Sequence, residues 1–239
     1  MSKLAEIAIN AHGGLKRWRE FNRLSARQLV GGVLWPMKSH DAIINDAQIT
    51  VELHHEWASH HPFTKGDLHS VFEPTRVAIE SKSGGVLYER HNPRDSFEGH
   101  TRETPWDVLQ LAYFAGYAMW TYLTTPFLFA LPGVESEEID PWQENGATWR
   151  CLRVTFPDTI ATHCKQQDFY FDDSGLLQRH DYDVEIAGSS PAAHYVYNHN
   201  VIDGIIVPMS HRVFIRQPDN RPLDEPIIVS LDLENVTFS

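Results

Sequence analysis

Between Ala47 and Trp57 apolar and polar side chains take turns. Ile49, Val51, Leu53, His55 and Trp57 fall on one side, and Thr50, Glu52, His54 and Glu56 on the other. A period of two marks a half-buried strand. Similar stretches cover Leu24–Leu34, Thr75–Ser81 and Val86–His91, the last two joined by SKSGG as a hairpin. The second half reads as strands at about 134–139, 147–156, 160–171, 175–187, 192–199, 201–207, 211–216 and 226–237. Asn145-Gly146 and Asp172-Asp173-Ser174-Gly175 predict tight hairpin turns. Gly188–Pro191 and Pro218–Asn220 read as loops. Gly31-Gly32 inside the first strand predicts a bulge or sharp bend.

Two segments break the alternation. Residues 3–12 place Leu4, Ile7, Ala8 and Ala11 on one helical face, with Ser2 as N-cap and Gly13-Gly14 as the stop. From Val108 to Gly133 no charged residue occurs. The run is long enough for a membrane span. Pro126, Gln110, three threonines and the lack of flanking basic clusters favour a buried helix instead. Thr104 and Pro105 are its expected start and about Thr124 its end. The polar stretch 92–104 before it reads as a loop or lid. Many short strands around one fully apolar helix predict a mainly β (α+β) fold: a curved antiparallel half-barrel sheet wrapped around an apolar plug helix. No linker or repeat divides residues 1–239, so one domain is expected.

Composition changes this picture little. The 42% hydrophobic and 22% charged content is ordinary for a globular chain able to bury a core. A net charge of −12 with no basic stripe argues against a nucleic-acid partner. Cys151 and Cys164 form no disulfide framework and read as two free buried thiols. The opening MSKLAEIAINAHGG lacks an apolar signal core, so a cytoplasmic location without stable membrane insertion is expected.

The candidate chemistry is aromatic and imidazole-based. No phosphate loop, dinucleotide fingerprint or nucleophile elbow occurs, and no cofactor is expected. His54, His55, His60 and His61 crowd together. Adjacent strand residues point to opposite faces, so they read as surface or hairpin histidines rather than a metal set, although His55 and His61 could converge across a tight turn. On Gln178–Ile186 one face carries His180, Tyr182, Val184 and Ile186, and the other Arg179, Asp181, Asp183 and Glu185. The first face is apolar enough to point inward. It places His180 and Tyr182 in the hollow, where with His163 they make a candidate acid–base set. Tyr170, His194 and Tyr197 come from neighbouring strands, and Tyr113, Tyr117 and Trp120 form one side of the plug helix. These six are the expected ligand-lining residues. Val213 and Ile215 alternate with Arg212 and Arg216, and Arg150, Arg153, Arg212 and Arg216 are expected on the outer, solvated face.

The order of helix, paired glycines, second helical turn, long first strand and mid-chain apolar plug resembles the LolA/LolB-like half-barrel family. That resemblance implies an incomplete antiparallel barrel whose hollow is covered by helices. The family includes lipid and lipoprotein carriers and a pigment-biosynthesis enzyme. No functional residue carries over by motif. The expected function is therefore binding of a small apolar, aromatic or acyl ligand between sheet and plug helix. The alternatives are a cofactor-free enzyme using His180, Tyr182 and His163, and a peripheral lipid-handling protein whose plug swings out.

Overall fold

The computed structural model describes all 239 residues. In chain order it contains α1 (Lys3–Ala11), α2 (Gly14–Trp18), β1 (Arg23–Gly31), α3 (Leu34–Met37), β2 (Asp46–Glu52), β3 (Ala58–His61), β4 (Leu68–Glu73), β5 (Arg76–Ser81) and β6 (Val86–His91). There follow α4 (Val108–Thr124), β7 (Glu135–Glu144), β8 (Ala147–Thr155), β9 (Gln166–Phe171), β10 (Leu177–Val184), β11 (Ser190–Ile202), β12 (Ile205–Ile215) and β13 (Val229–Phe238).

All thirteen strands join one antiparallel, curved and unclosed sheet in the order β6-β5-β4-β3-β2-β1-β13-β12-β11-β10-β9-β8-β7. Every neighbour is also a sequence neighbour except β1 and β13, paired from Leu24–Phe238 to Gly31–Ser230. β6 and β7 are thus the two free edges, yet only α4 and its flanking loops separate them in sequence. The chain meanders out to one edge, crosses, and meanders back from the other. Because the crossing segment is apolar throughout, its lowest-energy route is across the inner face of the sheet.

α4 follows that route. Asp107 caps it by accepting from Gln110 N–H at 2.8 Å, while Gln110 Oε1 accepts from Asp107 N–H at 2.9 Å. This reciprocal capping box starts the helix three residues after the expected start. Fifteen of its seventeen residues are buried, so no face is left for solvent. Gly116 explains the close approach to β4: a Cβ there would stand 2.3 Å from Phe72 Cβ. Trp120 Nε1–H donates to the carbonyls of Glu52 and His55 at 2.9 and 3.0 Å, anchoring α4 to the β2–β3 turn. Tyr122 on the other side reaches the rings of β10–β12. The helix therefore touches both halves of the sheet.

Several boundaries differ from those expected. β1 stops at Gly31 because Gly32, at φ +105°, packs against the Ile228 carbonyl, where a Cβ would sit 2.4 Å away. The chain then turns into α3. β2 ends at Glu52, which puts His54 and His55 in a turn, and the short β3 and β4 follow. Residues 160–165 are irregular, and β9 begins only at Gln166. β11 runs on to Ile202, turns at Asp203-Gly204, and β12 then covers 205–215 in one strand through Pro208 opposite His199. Cys151 and Cys164 are free and buried. No helix is long and apolar enough to cross a membrane.

Candidate functional site

The register of β9–β12 sorts the expected residues by face. His180 pairs with Phe169 and His194, and Tyr182 with Ala192, so these point toward α4. Arg179 pairs with Tyr170 and Tyr195 on the opposite face. Tyr170 therefore leaves the hollow, and so does Tyr197, which is 45% exposed. Trp120 is inside but serves as the anchor just described.

The inner set is compact. Tyr122 OH stands 2.6 Å from Tyr182 OH and 3.0 Å from His163 Nε2. His163 stacks flat on Tyr182 at 3.8 Å between centroids. His180 stacks on Phe169 at 4.0 Å and bonds Gln167 Oε1 at 2.6 Å. His194 Nε2 meets His211 Nδ1 at 2.9 Å. The sequence-predicted trio of His163, His180 and Tyr182 is thus brought together, with His194 beside it. Tyr122, Gln167 and His211 complete it and were missed. Tyr122 lies off the Tyr113–Tyr117–Trp120 side, and His211 sits next to the outward Arg212 with no local signal that its ring turns inward.

Burial sets the charge state of this set. Desolvation depresses the pKa of His163, His180 and His194 well below that of free imidazole, and neighbouring histidines depress it further. His211 falls to about 4 for the same first reason. Tyr122 and Tyr182 are raised, again mainly by desolvation. All six are therefore neutral at physiological pH. Effective acid–base groups titrate near the working pH. These do not, so the cluster as packed is a poor proton-transfer set.

Open space lies next to the cluster. A half-open cleft of about 620 Å³ sits between Tyr113 of α4, the β4–β5 turn at Pro74-Thr75, and the β8–β9 connection from Phe156 to Lys165. Small-molecule sites typically span roughly 300–1,000 Å³. Arg94, from the short 3-10 turn Pro93–Phe97, stands at its floor and donates to the carbonyls of Thr162 at 2.9 Å and His163 at 3.5 Å, and to Glu185 at 2.5 Å. Glu56 lies behind: Oε2 accepts from Ala161 N–H at 2.9 Å and Oε1 has no partner. Desolvation pushes the Glu56 carboxyl well up, against the pull of Arg94. Neither Arg94 nor Glu56 was singled out from sequence; the period of two put Glu56 on an outer face that the turn after Glu52 abolishes. A second, apolar rift between α3, Trp106, Phe114, Tyr182 and Val213 amounts to only about 60 Å³.

The four crowded histidines go separate ways. His54 Nε2 meets Phe21 O at 2.7 Å, His55 pairs with Glu52, and His61 Nε2 meets Gly66 O at 3.1 Å. His60 is fully buried against Ser70. Arg153, Arg212 and Arg216 form outer-face ion pairs with Asp168, Asp232 and Asp183. Arg150 corrects the expectation: its register places it with the inward Leu152 and Phe171, but near the strand end, where it pairs with Glu138.

The fold so defined is a LolA-like half-barrel. It is similar to a DUF1329 family protein from Desulfovibrio piger, with a TM-score of 0.56 at 9% identity over 98% of this chain and 91% of that one. A domain from Vibrio parahaemolyticus named for outer membrane lipoprotein sorting gives 0.53 at 9% identity, with the same coverage. A LolA superfamily protein from Nitrosomonas europaea gives 0.49 at 8% identity over 94% and 91%. No family model and no curated protein matches the chain by sequence.

Proposed function

We propose that the protein binds a small, largely apolar molecule in the cleft between α4 and the β8–β9 connection. The observation that carries this reading is the cleft itself. It has the volume of a ligand site, and it offers an apolar strip of Tyr113, Phe156 and Ile160 beside a polar and charged rim that includes Arg94, Asp95, Asp158 and Lys165. The structurally similar Vibrio domain, named for lipoprotein sorting, supports an apolar ligand. Binding is favoured over acid–base catalysis because the His163–His180–Tyr182 set is sealed behind the floor and stays neutral, its imidazoles unprotonated and its phenol protonated, at neutral pH. Release of α4 onto a lipid surface is disfavoured: it would expose fifteen buried residues and break both Trp120 hydrogen bonds.

The test is titration with the neutral fluorophore N-phenylnaphthylamine. Saturable one-to-one binding is expected. Ile160→Trp, which fills the cleft from an irregular segment, weakens it by about ten-fold or more, with the thermal midpoint held within about 2 °C. Absence of binding, or binding indifferent to Ile160→Trp, overturns the reading.

A further inference from the structure

Three buried polar atoms without a partner gather behind the cleft: Glu56 Oε1, Tyr117 OH and His163 Nδ1. They come from three separate elements, the β2–β3 turn, α4 and the β8–β9 connection. One neighbourhood holds them. Glu56 accepts from Ala161, Tyr117 lies 5.0 Å from the His163 ring, and Arg94 donates to the carbonyls of Thr162 and His163. The large majority of buried side-chain polar atoms in native proteins have a hydrogen-bond partner. Three orphans around one guanidinium therefore point to a missing polar partner.

The chemistry of the orphans selects that partner. Arg94 carries five N–H donors and no acceptor. Tyr117 and the adjacent Tyr113 keep their phenolic protons, since burial raises both. Burial also pushes the Glu56 carboxyl well up, toward the protonated form that can donate. The set is donor-rich and calls for an acceptor-only group. A carboxylate, with about four lone-pair sites, suits a planar guanidinium in a two-pronged contact. Glu185 occupies part of Arg94 now, but its side chain is 45% exposed and can return to water. Asp95 and Asp158 on the cleft wall oppose an anion; Lys165, paired with Asp158 at 2.8 Å, offsets the latter.

We propose that Arg94, backed by Glu56 and Tyr117, binds the carboxylate of a small apolar acid whose hydrocarbon part lies along Tyr113, Phe156 and Ile160. This deepens the ligand-binding reading and rests on it.

Displacement of bound N-phenylnaphthylamine by decanoate and by decanol at neutral pH and low salt tests it. Decanoate is expected to displace the fluorophore at a concentration about ten-fold lower than decanol, the effect of one good charge-assisted contact. Arg94→Gln erases that preference and leaves decanol unchanged. Glu185→Gln, which removes the resident competitor at the rim, improves decanoate by a few-fold and leaves decanol alone. Equal displacement by the two probes, or a preference that survives Arg94→Gln, overturns the carboxylate site. If Arg94→Gln lowers the thermal midpoint, Arg94→Lys and Glu185→Gln decide: the former keeps the charge but loses the planar fork. Failure of the fluorophore to bind removes the binding reading itself, whereas fluorophore binding without acid preference removes only the carboxylate site.

Discussion

The two faces of the β9–β11 stretch bury polar side chains in opposite ways. Toward α4 stand neutral rings: His163, His180, His194, His211, Tyr122 and Tyr182. Away from α4 stands a charged knot. Arg179 is wholly buried, grips Asp181 in two contacts of 2.7 Å, and also bonds Glu144 at 2.8 Å, Tyr195 OH at 3.0 Å and the Asn220 carbonyl at 2.6 Å. Trp142, Tyr170 and Tyr195 surround its guanidinium. The loop around Asn220 and the β7 edge cover it. The contrast shows two solutions to one problem. Where opposite charges are at hand, burial is met by full pairing. Where only imidazoles and phenols meet, burial strips the charge instead.

Acid should break this contrast with the largest effect. Six buried histidines, His12, His60, His163, His180, His194 and His211, all have lowered pKa values, chiefly from desolvation, with His12 and His211 at about 4 and His60 at about 3. Below pH 6.5 the unfolded chain takes up protons that the folded chain refuses. Stability is therefore full above that pH and falls as the pH drops toward 4. Asp181, pushed up to about 6 by burial, and Glu56 act in the other sense: each is protonated more readily when folded and favours the fold in acid. The histidines outnumber them. The urea midpoint should drop steeply between about pH 7 and about pH 5. A flat profile there would mean that the rings are not sealed.

Next in size is Arg179→Met. It leaves Glu144 buried without its cation and Asp181 with only Arg216, 3.8 Å away, and breaking comparable buried pairs costs about 3–5 kcal/mol. Urea denaturation at neutral pH measures it. A loss below about 1 kcal/mol would place the knot in water rather than in the protein.

The sequence shows the sheet, the plug and the inward direction of His180 and Tyr182, because periodicity and the absence of charge are local signals. Faces defined across strands are less legible. The sequence pattern suggests Tyr170 and Tyr197 for the hollow, yet the register puts them with Arg179. Nothing local distinguishes Arg179 from an exposed strand arginine, since the loop that buries it arrives some forty residues later. Glu56 and Arg94 stayed hidden for the same reason: one sits in a turn the alternation masks, the other in a polar loop. Both acquire meaning only when the β8–β9 connection folds over them.

The smallest effect expected is that of Tyr122→Phe, and it probes the neutral face alone. Removing the Tyr122 hydroxyl withdraws its contacts with both His163 Nε2 and Tyr182 OH. No charge is stranded, because the remaining groups are neutral and His163 still stacks on Tyr182. The ring contacts of residue 122 with His194 and His211 survive in phenylalanine. The cost should be that of leaving one or two neutral partners unsatisfied, about 1–2 kcal/mol by urea denaturation, less than that of Arg179→Met. A loss as large as that of Arg179→Met would show that the inner rings are held by a strongly coupled network and that the neutral face is no softer than the charged one.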